Sequence, residues 1–298
     1  MGERKTITGH LSAFFTIFVW AATFISIKLL LKDFTPIEIL LYRLILAYFV
    51  LLAASPHFIK VNNVKEELLF LGAGLCGVTL YYIFQNSALN LTQASNVSVL
   101  ISISPFFTAL LTRLVAKEEQ LKTYFFWGFG ISIVGIFLIG FNGNFILKLN
   151  PLGDILAVLS ALVWAGYTVI MKKISSMNLS TIQFTRKIFL YGLLLLLPFL
   201  KVLGFNLDLS GFSSLPNILN MVFLGVVASA LCYATWNYAV SMLGAVRTSI
   251  YIYLIPIITI IISALVLKEK ITSAALLGVL LILIGLYISG QNTKSSQA

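Results

Sequence analysis

The chain has 298 residues, of which 59% are hydrophobic and only 10% charged, with a mean hydropathy of +1.01. A water-facing domain is about a quarter charged, so this composition excludes a soluble globular protein and points to solvation by lipid. The net charge of +10 comes from basic residues gathered at the ends of apolar runs, as membrane insertion requires, and argues against a nucleic-acid partner.

The apolar runs predict an all-α, polytopic membrane protein of ten transmembrane helices. In chain order they cover about 11–31, 37–54, 68–89, 97–116, 123–141, 152–171, 182–203, 216–239, 246–267 and 272–290. A crossing needs roughly 20 apolar residues in helical form. No Asp, Glu, Lys or Arg lies between Glu67 and Arg113. That interval therefore holds two crossings, split by the polar break NLTQASN at 90–96. The runs are continuously apolar and do not alternate, which disfavours a β-barrel. The first run is too long for a cleavable signal peptide and lacks a clear cleavage site. Cys76 and Cys232 fall mid-helix and read as small buried hydrophobes. With a cytoplasmic N-terminus, thirteen basic residues face inward and seven outward. This bias places both termini on the cytoplasmic side of the cell (plasma or inner) membrane.

The chain also repeats itself. ISISPFFTALLTRLVAKEE at 101–119 returns as LIPIITIIISALVLKEK at 254–270. At an offset of 151, Gly74, Tyr82, Asn86, Ile101, Pro105 and Thr108 match Gly225, Tyr233, Asn237, Ile252, Pro256 and Thr259. Nearer the N-terminus the offset is 144, and Gly9, Ala13, Trp20 and Lys28 match Gly153, Ala157, Trp164 and Lys172. The chain thus reads as two five-helix units, 1–141 and 150–290, followed by a polar tail at 291–298. Five is odd, so the second unit enters the membrane from the opposite side. Two inverted copies related by an axis in the membrane plane are common in secondary transporters, where one half tilts against the other.

Polar and aromatic side chains that interrupt aliphatic helices mark the candidate solute site. Trp20, Thr23 and Ser26 share a face of helix one. Tyr82, Gln85 and Asn86 share a face of helix three, and Tyr233, Trp236 and Asn237 share one of helix eight. Ser98 and Ser102 mark helix four, Trp164, Tyr167 and Thr168 helix six, and Tyr251 and Tyr253 helix nine. The competing reading makes the rings interfacial anchors and the amides ties between helices; Trp20 and Trp164 lie mid-segment, against an anchoring role. Pro105 and Pro256 each remove a backbone donor, and the freed carbonyl must face protein or water. They read as hinge or gate elements, or else as packing kinks. Glu119 and Glu269 precede helices five and ten, where the helix dipole favours a carboxylate. Gly128, Gly135, Gly278 and Gly285 recur every seven residues on one face. They allow close helix packing, within the fold or across a homodimer.

The segments FVWAATFISIKLLL (18–31), ALVWAGYTVIMKK (161–173), NSALNLTQASNVSVLISISPFFTALLTRLVAKEE (86–119) and the stretch from Asn237 to Ile288 carry a resemblance. They resemble the EamA-like family of the drug/metabolite transporter superfamily over nearly the whole chain. The resemblance implies ten helices, a central cavity between the halves, and movement of small metabolites. Arg43 resembles the basic residue that the family carries in helix two, which implies a hold on a substrate carboxylate or a gate. Arg186 and Lys187 lie early in helix seven near the equivalent place. Snorkelling to the headgroups is the alternative for these charges.

No Asp or Glu sits in the middle of any helix; Asp33, Glu38, Asp154 and Asp208 fall at ends or in loops. A proton antiporter commonly uses a midplane carboxylate. This favours neutral or zwitterionic solutes such as amino acids, moved by alternating access and exported. A passive facilitator and an exporter of drugs or cationic metabolites remain the alternatives. An enzyme is disfavoured, because His10 and His57 are the only histidines and no acids pair with ligand spacing. The phosphate-binding loop of an ATP-driven pump is absent. No metal or cofactor is expected, and the partners are a small-molecule substrate and membrane lipid.

Overall fold

The computed structural model describes residues 2–57, 59, 63–92, 94–116, 123–141, 150–177, 179–266 and 272–290. Glu119, Glu269 and the tail at 291–298 lie outside the described residues. Among the described residues all regular structure is helical and falls into ten rods. These are α1 (Gly2–Leu30), α2 (Pro36–Ala54), α3 (Val64–Leu91), α4 (Ala94–Ile101 with Ser104–Ala116), α5 (Thr123–Phe141) and α6 (Pro151–Ser175). They continue with α7 (Thr181–Val202), α8 (Leu215–Leu243), α9 (Ala245–Ile250 with Leu254–Val266) and α10 (Ser273–Gly290). Seven of the rods contain stretches long and apolar enough to cross a membrane. The apolar parts of α5 and α10 are shorter, at Thr123–Leu138 and Leu276–Ser289. The remaining rod, α7, carries Arg186, Lys187 and Lys201. Large apolar side chains such as Phe18, Phe49, Leu114 and Trp127 stand on the outside, as a lipid-facing surface requires.

Caps set the helix ends, and they explain where sequence and structure differ by a few residues. α3 begins at Val64 rather than near 68 because Asn63 accepts the Glu66 N–H at 2.9 Å. α2 starts on a reciprocal cap: Thr35 accepts from the Glu38 N–H, and the Glu38 carboxylate accepts the Thr35 N–H at 2.7 Å. Such a pair satisfies two orphan donors at once. α6 starts on Asn150, which accepts the Gly153 N–H at 3.1 Å, with Pro151 in the first turn. α8 runs on to Leu243 and stops at Gly244, whose φ of +86° suits glycine.

The rods pack in corresponding pairs. α1 lies on α8 and α9, while α6 lies on α3 and α4. α2 packs against the middle of α8, α7 against the middle of α3, and α2 and α7 meet each other. Thr16 meets Thr235, Trp20 meets Ala228 and Ser26 meets Asn220, so α1 and α8 run antiparallel. The middle stretches of α3 (Leu75–Leu80) and α8 (Phe223–Leu231) widen into π-helix, a local form frequent at functional sites.

α5 and α10 form a separate pair packed on each other. Their glycine faces meet within the fold: a Cβ on Gly135 would lie 2.5 Å from the Gly278 carbonyl oxygen. Gly128 and Gly285 oppose each other in the same way. Cys76 and Cys232 are free thiols.

Candidate functional site

At the centre of the bundle, four helices contribute one continuous aromatic cluster. Trp20 of α1 meets Trp164 of α6 edge-on at 5.1 Å between ring centroids. It also meets Tyr233 and Trp236 of α8 at 5.8 and 5.2 Å. Trp164 contacts Tyr167 at 4.9 Å, Tyr233 at 5.6 Å and Trp236 at 5.8 Å. From α3, Tyr82 meets Tyr233 at 6.1 Å and Tyr81 meets Trp164 at 4.8 Å. These separations lie in the range of favourable edge and tilted aromatic contacts. Trp164, Tyr167, Tyr233 and Trp236 are all at most 2% exposed. These rings are not headgroup anchors.

The polar ends of these rings are tied to the helices around them. The Trp20 indole donates to the Ala228 carbonyl at 2.9 Å. The Tyr233 hydroxyl donates to the Gly77 carbonyl, in the widened part of α3. Gly77 has a second constraint: a Cβ there would run into the Tyr167 ring. The Tyr167 hydroxyl donates to Asn237 Oδ1 at 2.7 Å, and Asn237 Nδ2 donates to Thr185 Oγ1 of α7 at 2.9 Å.

Arg43 enters the cluster from α2. Its Nε donates to Ser229 Oγ at 3.0 Å and its Nη2 to the Tyr82 hydroxyl at 2.9 Å. Its guanidinium carbon also stands 4.0 Å over the Tyr82 ring centroid. The residue is 1% exposed, so it does not snorkel. Its Nη1 has no hydrogen-bond partner, and neither do Trp236 Nε1 or Asn86 Oδ1.

The other candidates occupy the surroundings of this centre. Thr23 folds back onto the Trp20 carbonyl at 2.6 Å and holds that turn of α1. Gln85 is buried one helical turn beyond Tyr81. Asn86 donates to the Pro36 carbonyl at 3.2 Å, joining α3 to the start of α2. Ser102 bonds back to the Ser98 carbonyl at 2.7 Å, at the break in α4. Pro105 follows that break, and Pro256 follows the 3-10 turn Tyr251–Tyr253 inside α9. In both places the missing donor coincides with a local departure from α-helix. Tyr251 lies apart from the cluster, its hydroxyl 2.7 Å from His10 Nδ1 near the start of α1.

Arg186 has a different role from Arg43. It donates to the Ser55 carbonyl and, at 2.6 Å, to the His57 carbonyl, so it ties α7 to the end of α2. Beside it, Lys187 pairs with Glu67 of α3 at 2.8 Å, and the Tyr191 hydroxyl donates to the same carboxylate. The opposite end of the bundle is closed by Phe34, Tyr42, Phe205 and Phe212. There Asn217 donates to Asp33 at 2.8 Å.

Sequence reasoning did not single out Tyr81, Gly77, Ser229 or Thr185. Ser229 carried a signal, as the one hydroxyl in the apolar run from Phe223 to Leu231. Among the described residues, no group of three His, Cys, Asp or Glu side chains converges to hold a metal ion.

Comparison with known proteins places this architecture. The model of the EamA-like transporter family matches residues 7–141 and again residues 151–291. An uncharacterized transporter of Archaeoglobus fulgidus is 31% identical over 94% of this chain and 96% of its own. A probable amino-acid metabolite efflux pump of Escherichia coli is 26% identical, with 93% of each chain covered. A probable terminal-alkyne amino-acid exporter of Streptantibioticus cattleyicolor is 24% identical over 93% of this chain and 92% of its own. One solved crystal structure superposes with a TM-score of 0.72 over 99% of both chains at 16% identity, which shows the fold alone. The chain is a multi-pass membrane transporter, not an enzyme, and it belongs to the EamA-like transporter family.

Proposed function

We propose that this transporter exports small neutral or zwitterionic metabolites, amino acids or close relatives of them, by alternating access. The observation that carries the reading is the central cluster. Aromatic faces from α1, α3, α6 and α8 converge there with two buried donors that have no partner, Arg43 Nη1 and Trp236 Nε1, and one unpaired acceptor, Asn86 Oδ1, lies a helical turn along α3 from Tyr82. Aromatic faces accept an ammonium group or an apolar side chain. Unpaired donors and acceptors await a solute that completes them. Two relatives named for amino-acid export support the substrate class.

The corresponding packing of the two halves supports an inverted duplication, 1–141 and 150–290, which rocks about an axis in the membrane plane. The ends of the bundle then act as alternate gates. Glu67, Lys187 and Arg186 close one, and the Phe34–Phe212 group closes the other. Pro105 and Pro256 sit where α4 and α9 bend. The excess of basic residues in the loops assigned to the inside supports cytoplasmic termini and residence in the cell membrane.

The test is counterflow in proteoliposomes loaded with single amino acids, with and without a pH gradient. Saturable counterflow of a neutral amino acid that needs no pH gradient is expected. Non-saturating flux without counterflow identifies a passive facilitator instead. Strong proton-driven movement of a cation overturns the substrate class.

A further inference from the structure

We propose that transport exchanges the hydrogen-bond donors on two fixed carbonyls, those of Gly77 and Ala228, with Trp20 and Tyr233 giving way to Trp164 and Tyr82. The four side chains are positioning residues that set which arrangement of the halves is favoured. The proposal rests on the inverted duplication and adds to it the bonds that change.

Gly77 and Ala228 are equivalent at the repeat offset of 151, and each lies inside the π-helical stretch of its own rod, α3 or α8. A carbonyl oxygen has two lone pairs, so it can serve its own helix and a side chain together. Both carbonyls take a ring donor from the opposite unit. Tyr233 of the second unit donates to Gly77 of the first, and Trp20 of the first donates to Ala228 of the second at 2.9 Å. These two bonds tie the halves together at the centre of the bundle.

The repeat supplies a second set of donors. Trp164 corresponds to Trp20, and Tyr82 to Tyr233. Carried through that correspondence, the observed bonds become Trp164 donating to Gly77 and Tyr82 donating to Ala228. Among the described residues neither of these bonds is made. Both donors nonetheless stand in the neighbourhood of their carbonyls. Trp164 packs on Tyr167, whose ring lies against Gly77. Tyr82 is joined through Arg43 to Ser229, the residue after Ala228. A guanidinium only donates, so the Tyr82 hydroxyl keeps its own proton to give.

The six positions differ between the units only by the methyl group of Ala228, whereas the bonds are one-sided. The two sets use the same groups, one indole and one phenol on two backbone carbonyls, and their energies therefore nearly match. A carrier needs such a balance, because a strong preference for one arrangement would trap it there. Inverted repeats supply the balance by letting each half adopt the conformation of the other.

The test is the distance between spin labels at Lys65→Cys and Ser180→Cys, with Cys76 and Cys232 replaced by Ala, in the full chain reconstituted in liposomes. Both positions are exposed, on α3 and at the start of α7, at the end where Lys187 meets Glu67. Trp20→Phe and Tyr233→Phe each remove a donor of the present set and should raise the share of a longer, second distance. Trp164→Phe and Tyr82→Phe remove donors of the other set and should lower it. Loss of one bond between membrane helices shifts the ratio about threefold to tenfold. Within a pair the chemical change is the same, so lost ring volume or a lost hydroxyl cannot by itself give opposite signs. In the double variant Trp20→Phe with Trp164→Phe the shifts should cancel. If the tryptophan variants do not fold, Tyr82→Phe against Tyr233→Phe decides. Shifts of the same sign within a pair, or no second distance in any variant, overturn the exchange. Accessibility labelling that finds both units oriented alike sinks the duplication itself, whereas opposed units with same-sign shifts sink the exchange alone.

Discussion

The centre of the bundle and the seam between α5 and α10 are both buried, and they are built from opposite materials. At the centre, rings from α1, α3, α6 and α8 meet at centroid separations of 4.8 to 6.1 Å. Large side chains there hold the helices apart and bring N–H and O–H groups to lipid depth. Between α5 and α10, glycines remove the side chains and let backbone approach backbone. Both regions contain unpaired polar atoms, but Ser132 and Ser289 in the α5–α10 interface are neutral hydroxyls, while the centre carries a cation. Without a hydrophobic effect between helices in lipid, association depends on close packing. The α5–α10 pair has it, and the centre gives some of it up for chemistry. The glycine pair should therefore control stability and the centre should control solute handling.

The largest expected effect is on the glycine side. In Gly135→Leu the new Cβ alone lies 2.5 Å from the Gly278 carbonyl, and backbone cannot move aside as a flexible side chain can. Overpacking of this kind costs about 3 kcal/mol. Thermal melts in detergent should show a large loss, while counterflow per folded molecule stays near wild type. A normal melt for this variant would show that the two helices do not depend on their glycines.

The two buried arginines sharpen the comparison at the next scale. Arg186 gives its N–H groups to the Ser55 and His57 carbonyls, so Arg186→Gln removes charge-assisted bonds that hold α7 to α2. A loss of about 2 kcal/mol in stability is expected. Removing the uncompensated charge in Arg43→Gln should cost far less, or even stabilise. Melts of the two variants side by side check this. Equal destabilisation by both would mean that Arg43 is a structural tie like Arg186.

How much of this was legible before folding depends on the kind of force involved. Lipid imposes long apolar runs and drives acids to helix ends, so the ten rods and the position of Glu38 could be read directly. The matched spacing of Trp20 with Trp164, and of Tyr82 with Tyr233, marked the rings that meet. Tyr81 was passed over because it is adjacent to Tyr82 and points off the same α-helical face. Both tyrosines nonetheless reach the cluster, because its rings flank two faces of α3: Tyr81 meets Trp164 of α6 and Tyr82 meets Tyr233 of α8. No local pattern in the sequence announced the widening at Leu75–Leu80 beyond Gly77. Arg43 and Arg186 read alike in sequence, since each lies in the first half of its helix. Their difference depends on where the loop through Ser55 and His57 folds, which only the tertiary structure shows.

The smallest predicted effect tests whether the centre tolerates loss of a single bond. Tyr167, Asn237 and Thr185 form a chain that joins α6, α8 and α7, and all three side chains are buried. Tyr167→Phe keeps the ring and its contacts with Trp164 and Tyr233, but it leaves Asn237 Oδ1 without its donor. Hydrogen bonds between membrane helices are worth about 0.6 to 2 kcal/mol, so about 1 kcal/mol is expected in a melt. Thr185→Val removes the next bond in the chain. Because the two bonds share Asn237, the double variant should lose about 0.5 kcal/mol less than the sum of the single losses. Solute affinity should fall with Tyr167→Phe as the ring loses its anchor, and it should not fall with Gly135→Leu. The reverse order would exchange the roles assigned to the two regions.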